Sequence, residues 1–283
     1  MTDTPKTPSS LKQRVTTAFL LIPLLIAVLA IGGWFAAIAA AICLGVALYE
    51  ELNTLRQGGY RPVRWPGFAA LAAGMLLIMT GHGSLVLPLF TALVFAVQLC
   101  VMCRKDPLMT DIMGSVLPMA TIVLPGLCLI AIVNTQPRPL QLMLLWQVFA
   151  TAIGCDTLAY FVGSMVGGPK LCPHISPKKT VSGAIGGLVG GVLFALLVDL
   201  CFRWASPAFM SGLPIWWTIL LGLICAVAAQ MGDLFASMLK RHCSVKDFGH
   251  IFPGHGGMMD RLDSILFTTI IVFVFRAILL GLI

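Results

Sequence analysis

Residues 254–283 read GHGGMMDRLDSILFTTIIVFVFRAILLGLI. The first eleven, Gly254–Ser264, hold three glycines, a histidine, an arginine and two aspartates. The nineteen that follow carry one charge, Arg276. An apolar run of that length approaches the roughly 20 residues a helix needs to cross a bilayer core. The segment therefore reads as a membrane-spanning helix with a dense polar cluster at its entrance.

The rest of the chain agrees. Of its 283 residues, 59% are hydrophobic and 10% charged, where a soluble domain carries about 25% charged residues. Mean hydropathy is +0.98. The length holds up to about ten spans and leaves no room for a sizeable soluble domain. Six of the nine cysteines (Cys43, Cys100, Cys128, Cys155, Cys201, Cys225) lie in apolar runs, where cysteine acts as a small hydrophobe. Cys100 and Cys103 form a lone C-x-x-C, which without a second pair or a nearby histidine reads as structural.

Nine apolar runs can be marked, at residues 18–31, 34–48, 67–80, 84–102, 112–133, 140–162, 181–201, 213–231 and 264–282. The first two read as a tight helical hairpin turning at Gly32–Gly33. The polar, Pro/Ser-rich start is followed by no convincing cleavage site, so it reads as a cytoplasmic tail and not as part of a signal peptide. The expected organisation is a tail over 1–17, an N-terminal transmembrane region over 18–133 and a catalytic transmembrane region over 134–283. The expected fold is an all-α integral membrane protein with about nine transmembrane helices.

Charge sets the orientation, because cytoplasmic loops collect Lys and Arg. With the N-terminus inside, all but three of the 18 Lys and Arg residues fall in inside segments. The exceptions are Arg138 and Arg203, in outside loops, and Arg276, in the last span. The wrong parity of spans would scatter them. The N-terminus is thus expected in the cytoplasm and the C-terminus outside, in the inner membrane of the cell. The net charge of +7 then expresses this bias, and nucleic acid is excluded as a partner.

Two long polar inside segments, residues 163–180 and 232–263, are candidates for function, since long polar loops in compact proteins commonly carry it. Asp156 lies inside the sixth run, and a carboxylate at membrane depth is costly and marks a function unless it serves a neighbouring helix. Asp199, four residues before Arg203, reads as a local ion pair. In QMGDLFASMLKRH, Asp233, Ser237, Lys240 and Arg241 share one helix face. That stripe suits a metal-bound phosphate, or else an amphipathic helix resting on anionic lipid. Lys246, Asp247 and Gly249 follow, then Pro253, Gly254, His255, Gly256 and Gly257. Glycines let backbone N–H groups approach phosphate oxygens. Asp260 and Asp263, one turn apart with Arg261 between them, complete a set suited to Mg²⁺ and a polyphosphate. Such a site at the cytoplasmic mouth of a helix bundle can take one substrate from water and another from the inner leaflet.

Ser237-x-Leu239-Lys240-Arg241-x₄-Lys246-Asp247-x-Gly249-x₃-Pro253-Gly254-His255-Gly256-Gly257-x₂-Asp260-Arg261-x-Asp263 resembles the signature of the phosphatidate cytidylyltransferase (CDP-diacylglycerol synthase) family. The likeness runs without a gap, with Ser244, His250 and Met259 as small departures. It extends upstream to Asp156-x₂-Ala159-Tyr160, Gly168-Pro169-Lys170, Ser176-Pro177-Lys178-Lys179-Thr180 and Gln230-x-Gly232-Asp233, and so covers roughly the C-terminal half. The resemblance implies Mg²⁺-dependent conversion of CTP and phosphatidate to CDP-diacylglycerol and pyrophosphate, by a membrane-embedded homodimer. It implies Asp233, Asp260 and Asp263 as metal ligands, with Asp156 an optional fourth and room for a second metal ion. Lys240, Arg241, Lys246 and Arg261 would bind phosphates. Gly254, Gly256 and Gly257 would shape the loop, Ser237 would join the substrate stripe, and Ser176, Lys178, Lys179 and Thr180 would close over the phosphates. His255 reads equally as phosphate donor or loop-packing residue.

Three other functions fit residues of this kind to different degrees. A related cytidylyltransferase acting on another membrane lipid phosphate, or on an isoprenoid ether lipid, would use the same residues. A CDP-alcohol phosphotransferase would show D-G-x₂-A-R-x₈-G-x₃-D-x₃-D, which is absent from the sequence. An ion-coupled transporter would spread polar residues through several spans, whereas here they gather at one membrane face.

Overall fold

The computed structural model describes residues 23, 25–205, 214–251 and 256–281. Residues 25–31 are helical and end at Gly32. They are followed by α1 (Gly33–Gln57), α2 (Trp65–Met79), α3 (Val86–Met102), α4 (Met109–Pro118), α5 (Leu124–Val133), α6 (Arg138–Val166), α7 (Val181–Ala205), α8 (Ile215–His242) and α9 (Met259–Leu279). A π-helical segment, Met119–Val123, joins α4 to α5 after Pro118, so the two make one continuous span.

Among the described residues, seven helical segments are long and apolar enough to cross a membrane, and α2 is a shorter apolar helix. The protein is a nearly all-α, multi-pass membrane protein. Of the first apolar run, residues 18–22 and 24 lie outside the described residues. Four helices outlast their apolar runs: α1 reaches Gln57, α6 reaches Val166, α7 reaches Ala205 and α8 reaches His242. The expected loop over 163–180 is also more ordered than its composition suggests. After Val166 it forms an antiparallel hairpin, β1 (Lys170–Cys172) with β2 (Ser176–Thr180), the one sheet among the described residues.

α6 packs most extensively on α7, and α8 lies against both α7 and α9. Small residues permit this. A Cβ on Gly191 would meet Ala226 Cβ at 2.5 Å, and one on Gly186 would meet Val162 Cβ at 2.6 Å. Where lipid competes for apolar surface, such close backbone approach supplies the packing energy. The main core joins α1, α2, α5, α6 and α9 through side chains such as Leu44, Leu48, Ile122, Ile130, Leu144 and Leu266, all at most 1% exposed.

The cation-bearing segments meet at one end of the bundle. Arg61 and Arg104 both pair with Asp111 at 2.9 and 2.8 Å, Tyr60 Oη lies 2.7 Å from His242 Nε2, and Lys179 pairs with Asp233. Arg138 bonds Leu29 O, Ala30 O and Gln141 at the other end, and Arg276 donates to Thr135 at 2.6 Å. The expected ion pair of Arg203 with Asp199 forms at 2.6 Å, with Thr218 also donating to Asp199. The nine cysteines are free thiols.

Candidate active site

The site lies where α8, α9, α6 and the hairpin meet. α8 presents Asp233, Ser237, Lys240 and Arg241 along its last turns, and α9 begins with Asp260 and Asp263 in its first two turns. The two helices touch closely at Gly232, whose Cα faces the Asp263 carbonyl. This contact puts Asp233 next to Asp263.

Asp156, Asp233 and Asp263 form an acidic trio. Asp233 acts electrostatically on both of the others, and Asp156 acts on Asp263. Ser264 joins the ends of the trio: its N–H donates to Asp263 Oδ1 at 2.8 Å and its hydroxyl faces Asp156 Oδ1 at 3.4 Å. Asp263 is buried and Asp233 half-buried, while Asp156 is open to the surroundings. Like charges this close are relieved by taking up protons or by cations among them. The protein supplies one: Lys179 Nζ from β2 lies 2.6 Å from Asp233 Oδ2.

Asp260 stands apart from the trio. Lys240 Nζ donates to its Oδ1 at 2.5 Å. Its Oδ2 accepts from the Phe248 and Gly257 N–H groups, both at 3.0 Å. Asp260 thus staples the segment after α8 to the start of α9, and Lys240 also lies over the Phe248 ring. Gly256 has φ of 79°, a left-handed conformation that glycine adopts without steric cost. Gly254 and His255 fall outside the described residues.

The hairpin residues divide by role. Lys179 turns inward to Asp233, and Lys178 is exposed. Ser176 is half-buried on β2. Thr180 is buried and accepts from the Gly183 N–H at 3.1 Å, with Ser182 Oγ at the same distance. It therefore caps α7, as a threonine ahead of a helix commonly does. Arg241, Lys246 and Arg261 are exposed, and Ser237 is half-buried. Arg261 is near enough to act on the charge of Asp156.

Sequence reasoning passed over Glu50. From α1, its Oε2 accepts from the Met259 N–H at 2.9 Å, where α9 begins. It lies against Gly249 and Gly257, and a Cβ on Gly257 would meet Glu50 Oε2 at 2.5 Å. Its Oε1 is buried without a partner among the described residues. The signal was present: Glu50 and Glu51 directly follow an apolar run, and the cost argument applied to Asp156 applies to them equally.

The donor set suits a hard cation. Mg²⁺ keeps several waters and takes one or two carboxylates plus substrate phosphates, so it needs no closed protein cage. Among the described residues, no three His, Cys, Asp or Glu side chains form such a cage. The trio does not close around a cation by itself; Asp156 is exposed and Asp233 half-buried.

A family model described as the cytidylyltransferase family matches residues 12–279. The chain belongs to the cytidylyltransferase family. Its similarity to two of the relatives below is spread over most of its length. The phosphatidate cytidylyltransferase of Brucella abortus biovar 1 (strain 9-941) is 31% identical over 275 residues, covering 95% of this chain and 94% of the relative. That of Synechocystis sp. (strain ATCC 27184) is 29% identical over 301 residues, 95% and 97% of the two chains. The enzyme of Bacillus subtilis (strain 168) is 44% identical over 112 residues, 40% and 39% of the two.

Proposed function

We propose that this cytidylyltransferase transfers the cytidylyl group of CTP to phosphatidate, giving CDP-diacylglycerol and pyrophosphate. The observation that carries the reading is the convergence of Asp156, Asp233 and Asp263 with Lys179 and Lys240 at one end of the bundle. Carboxylates and lysines so interleaved can neutralise and align several phosphate groups. A phosphatidate oxygen attacks the α-phosphorus of CTP, the bond to the β-phosphate breaks, and pyrophosphate leaves with that electron pair.

Phosphatidate is a phosphate monoester whose second pKa is near 6. At neutral pH its attacking oxygen is already ionised, and no general base is required. The work left to the protein is positioning and charge neutralisation. Asp233 and Asp263, with Asp156 beside them, would hold Mg²⁺, which when bound offsets phosphate charge. Lys179 and Lys240 hold their carboxylates now and face incoming phosphates as second partners. Arg241, Lys246 and Arg261, exposed at the rim, meet CTP or the lipid phosphate first.

The wider arrangement is part of the proposal. Seven long apolar segments, α2 and the first apolar run give nine spans. Cation asymmetry supports an inside N-terminus, an outside C-terminus and a cytoplasmic site in the inner membrane. Family resemblance supports a homodimer. The test is incorporation of radiolabelled CTP into lipid by purified protein. Label should enter lipid only when phosphatidate and Mg²⁺ are present, and incorporation with another lipid phosphate but not phosphatidate would reassign the substrate.

A further inference from the structure

A second concentration of charge lies in the N-terminal half. Between the end of α1, the loop before α2 and the loop after α3 is a cavity of about 650 Å³. Arg56, Arg61, Arg64, Arg104 and Lys105 line it, and Asp106 is the one acid in its wall. Buried Asp111 lies beneath. Five cations against two carboxylates leave a clear positive excess.

Positive-inside bias accounts for cations on this side of the membrane but not for their fixation around one space. Asp111 accepts from the Arg61 N–H and Nε at 3.1 and 3.0 Å, and from Arg104 Nη1 at 2.8 Å. Arg104 also donates to Arg61 O, and Arg61 to Asp106 O. Arg64 donates to Asn53 and lies 5.6 Å from the Tyr49 ring centre. Three guanidinium groups are thus set in place before any ligand arrives. Arg56 and Lys105 are exposed and make no ion pair with described residues. Preset planar forks flanked by two uncommitted cations match a phosphate group, and the volume falls within the range of small-ligand sites.

We propose that this cavity is a second anion site, separate from the acidic trio, that binds a phosphate-bearing molecule. Its occupant is an anionic phospholipid headgroup or a soluble phosphate compound, and the site does not depend on the transfer reaction. It also has a mechanical link to the active site. Tyr60, in the loop that forms its wall, meets His242 at 2.7 Å, directly after Lys240 and Arg241.

The experiment uses full-length protein and the R56A/K105A variant, which removes the uncommitted cations and leaves the Asp111 network whole. Phosphatidylglycerol binding is read by native mass spectrometry against phosphatidylcholine, and inorganic phosphate binding by calorimetry. The double variant should weaken one of them about tenfold, the scale of a lost charge-assisted contact. A loss confined to phosphatidylglycerol identifies a lipid site, and a loss confined to phosphate a soluble ligand. K6A/K12A removes the same charge elsewhere in the sequence and should stay within about twofold if binding depends on the cavity lining and not on total charge. Unchanged binding in R56A/K105A, or an equal loss in K6A/K12A, overturns the proposal. Should the double variant insert poorly, R56Q and K105Q are read singly. Each should weaken binding about threefold, and no change in either has the same adverse meaning. Turnover in phosphatidylcholine discs is measured in parallel, so failure of this site is distinguishable from failure of the proposed reaction.

Discussion

Glu50 Oε2 accepts the Met259 N–H at 2.9 Å across 209 positions of sequence. One carboxylate of the N-terminal half thereby closes the open end of the helix that carries Asp260 and Asp263. A helix N-terminus has unpaired N–H groups and a partial positive charge, and Glu50 answers both. Glu50→Ala strands that donor in a buried place, which costs about 1–3 kcal/mol. We expect lower thermal stability and at least a tenfold loss of turnover, with Glu50→Gln intermediate because it keeps an acceptor. A wild-type melting curve and rate for Glu50→Ala would show that α9 holds its position without it.

Asp263→Asn retains shape and removes one charge of the trio. Turnover should fall by about a hundredfold or more while insertion is unchanged, on the scale seen when metal sites are disturbed. Raised Mg²⁺ should restore part of the loss. Full activity at ordinary Mg²⁺ would remove Asp263 from the cation-binding set.

Lys179 and Lys240 can be separated by a simple comparison. Lys179→Ala frees the half-exposed Asp233, so folding should barely change while kcat/KM for CTP falls by about 2–4 kcal/mol. Lys240→Ala and Asp260→Asn each break a mostly buried pair, and both should lower the melting temperature. Corrected for folded protein, Lys240→Ala should lose more activity than Asp260→Asn, because only the ammonium can meet phosphate. Equal residual activities, with the double variant no worse than either single one, would reduce Lys240 to a structural partner of Asp260.

Thiol labelling tests orientation, but Cys243 is a poor probe. It is 4% exposed, and burial pushes its thiol up from the ordinary range, so it resists reagents on either side. Cys103 is exposed at the end of α3. With Cys103 as the only thiol, an impermeant maleimide should label inverted vesicles and spare intact cells. The reverse pattern would invert the topology.

The helices were legible because apolar runs report burial in lipid directly. Their ends were not. α8 continues past Met231 into DLFASMLKRH because it leaves the bilayer as an amphipathic helix and needs no apolar residues to persist. The hairpin over residues 170–180 was hidden because three and five residues of strand, rich in Lys and Pro, have no clear alternation. At the site, residue types identified Asp233 and Asp263, and the structure brings them together as their helix positions suggest. The division of labour between Asp260 and Asp263 was not visible. Both are acids one turn apart, and only the fold shows that Asp260 faces backbone N–H groups while Asp263 faces Asp233. The position of Glu50 after an apolar run marks it for a role, but which role was not visible, because its partners lie in distant sequence.

The Glu50–Met259 bond also bears on how the protein comes into being. A ribosome finishes α1 some two hundred residues before it makes Met259. During that interval Glu50 is a carboxylate near the membrane with no α9 to receive it. Synthesis of α9 supplies its partner and, in the same event, delivers Asp263 to Asp156 and Asp233. Until then the nascent chain holds Asp156 and Asp233 without Asp263. A chain stopped short of Met259 would lack Asp260 and Asp263 and leave Glu50 without this partner.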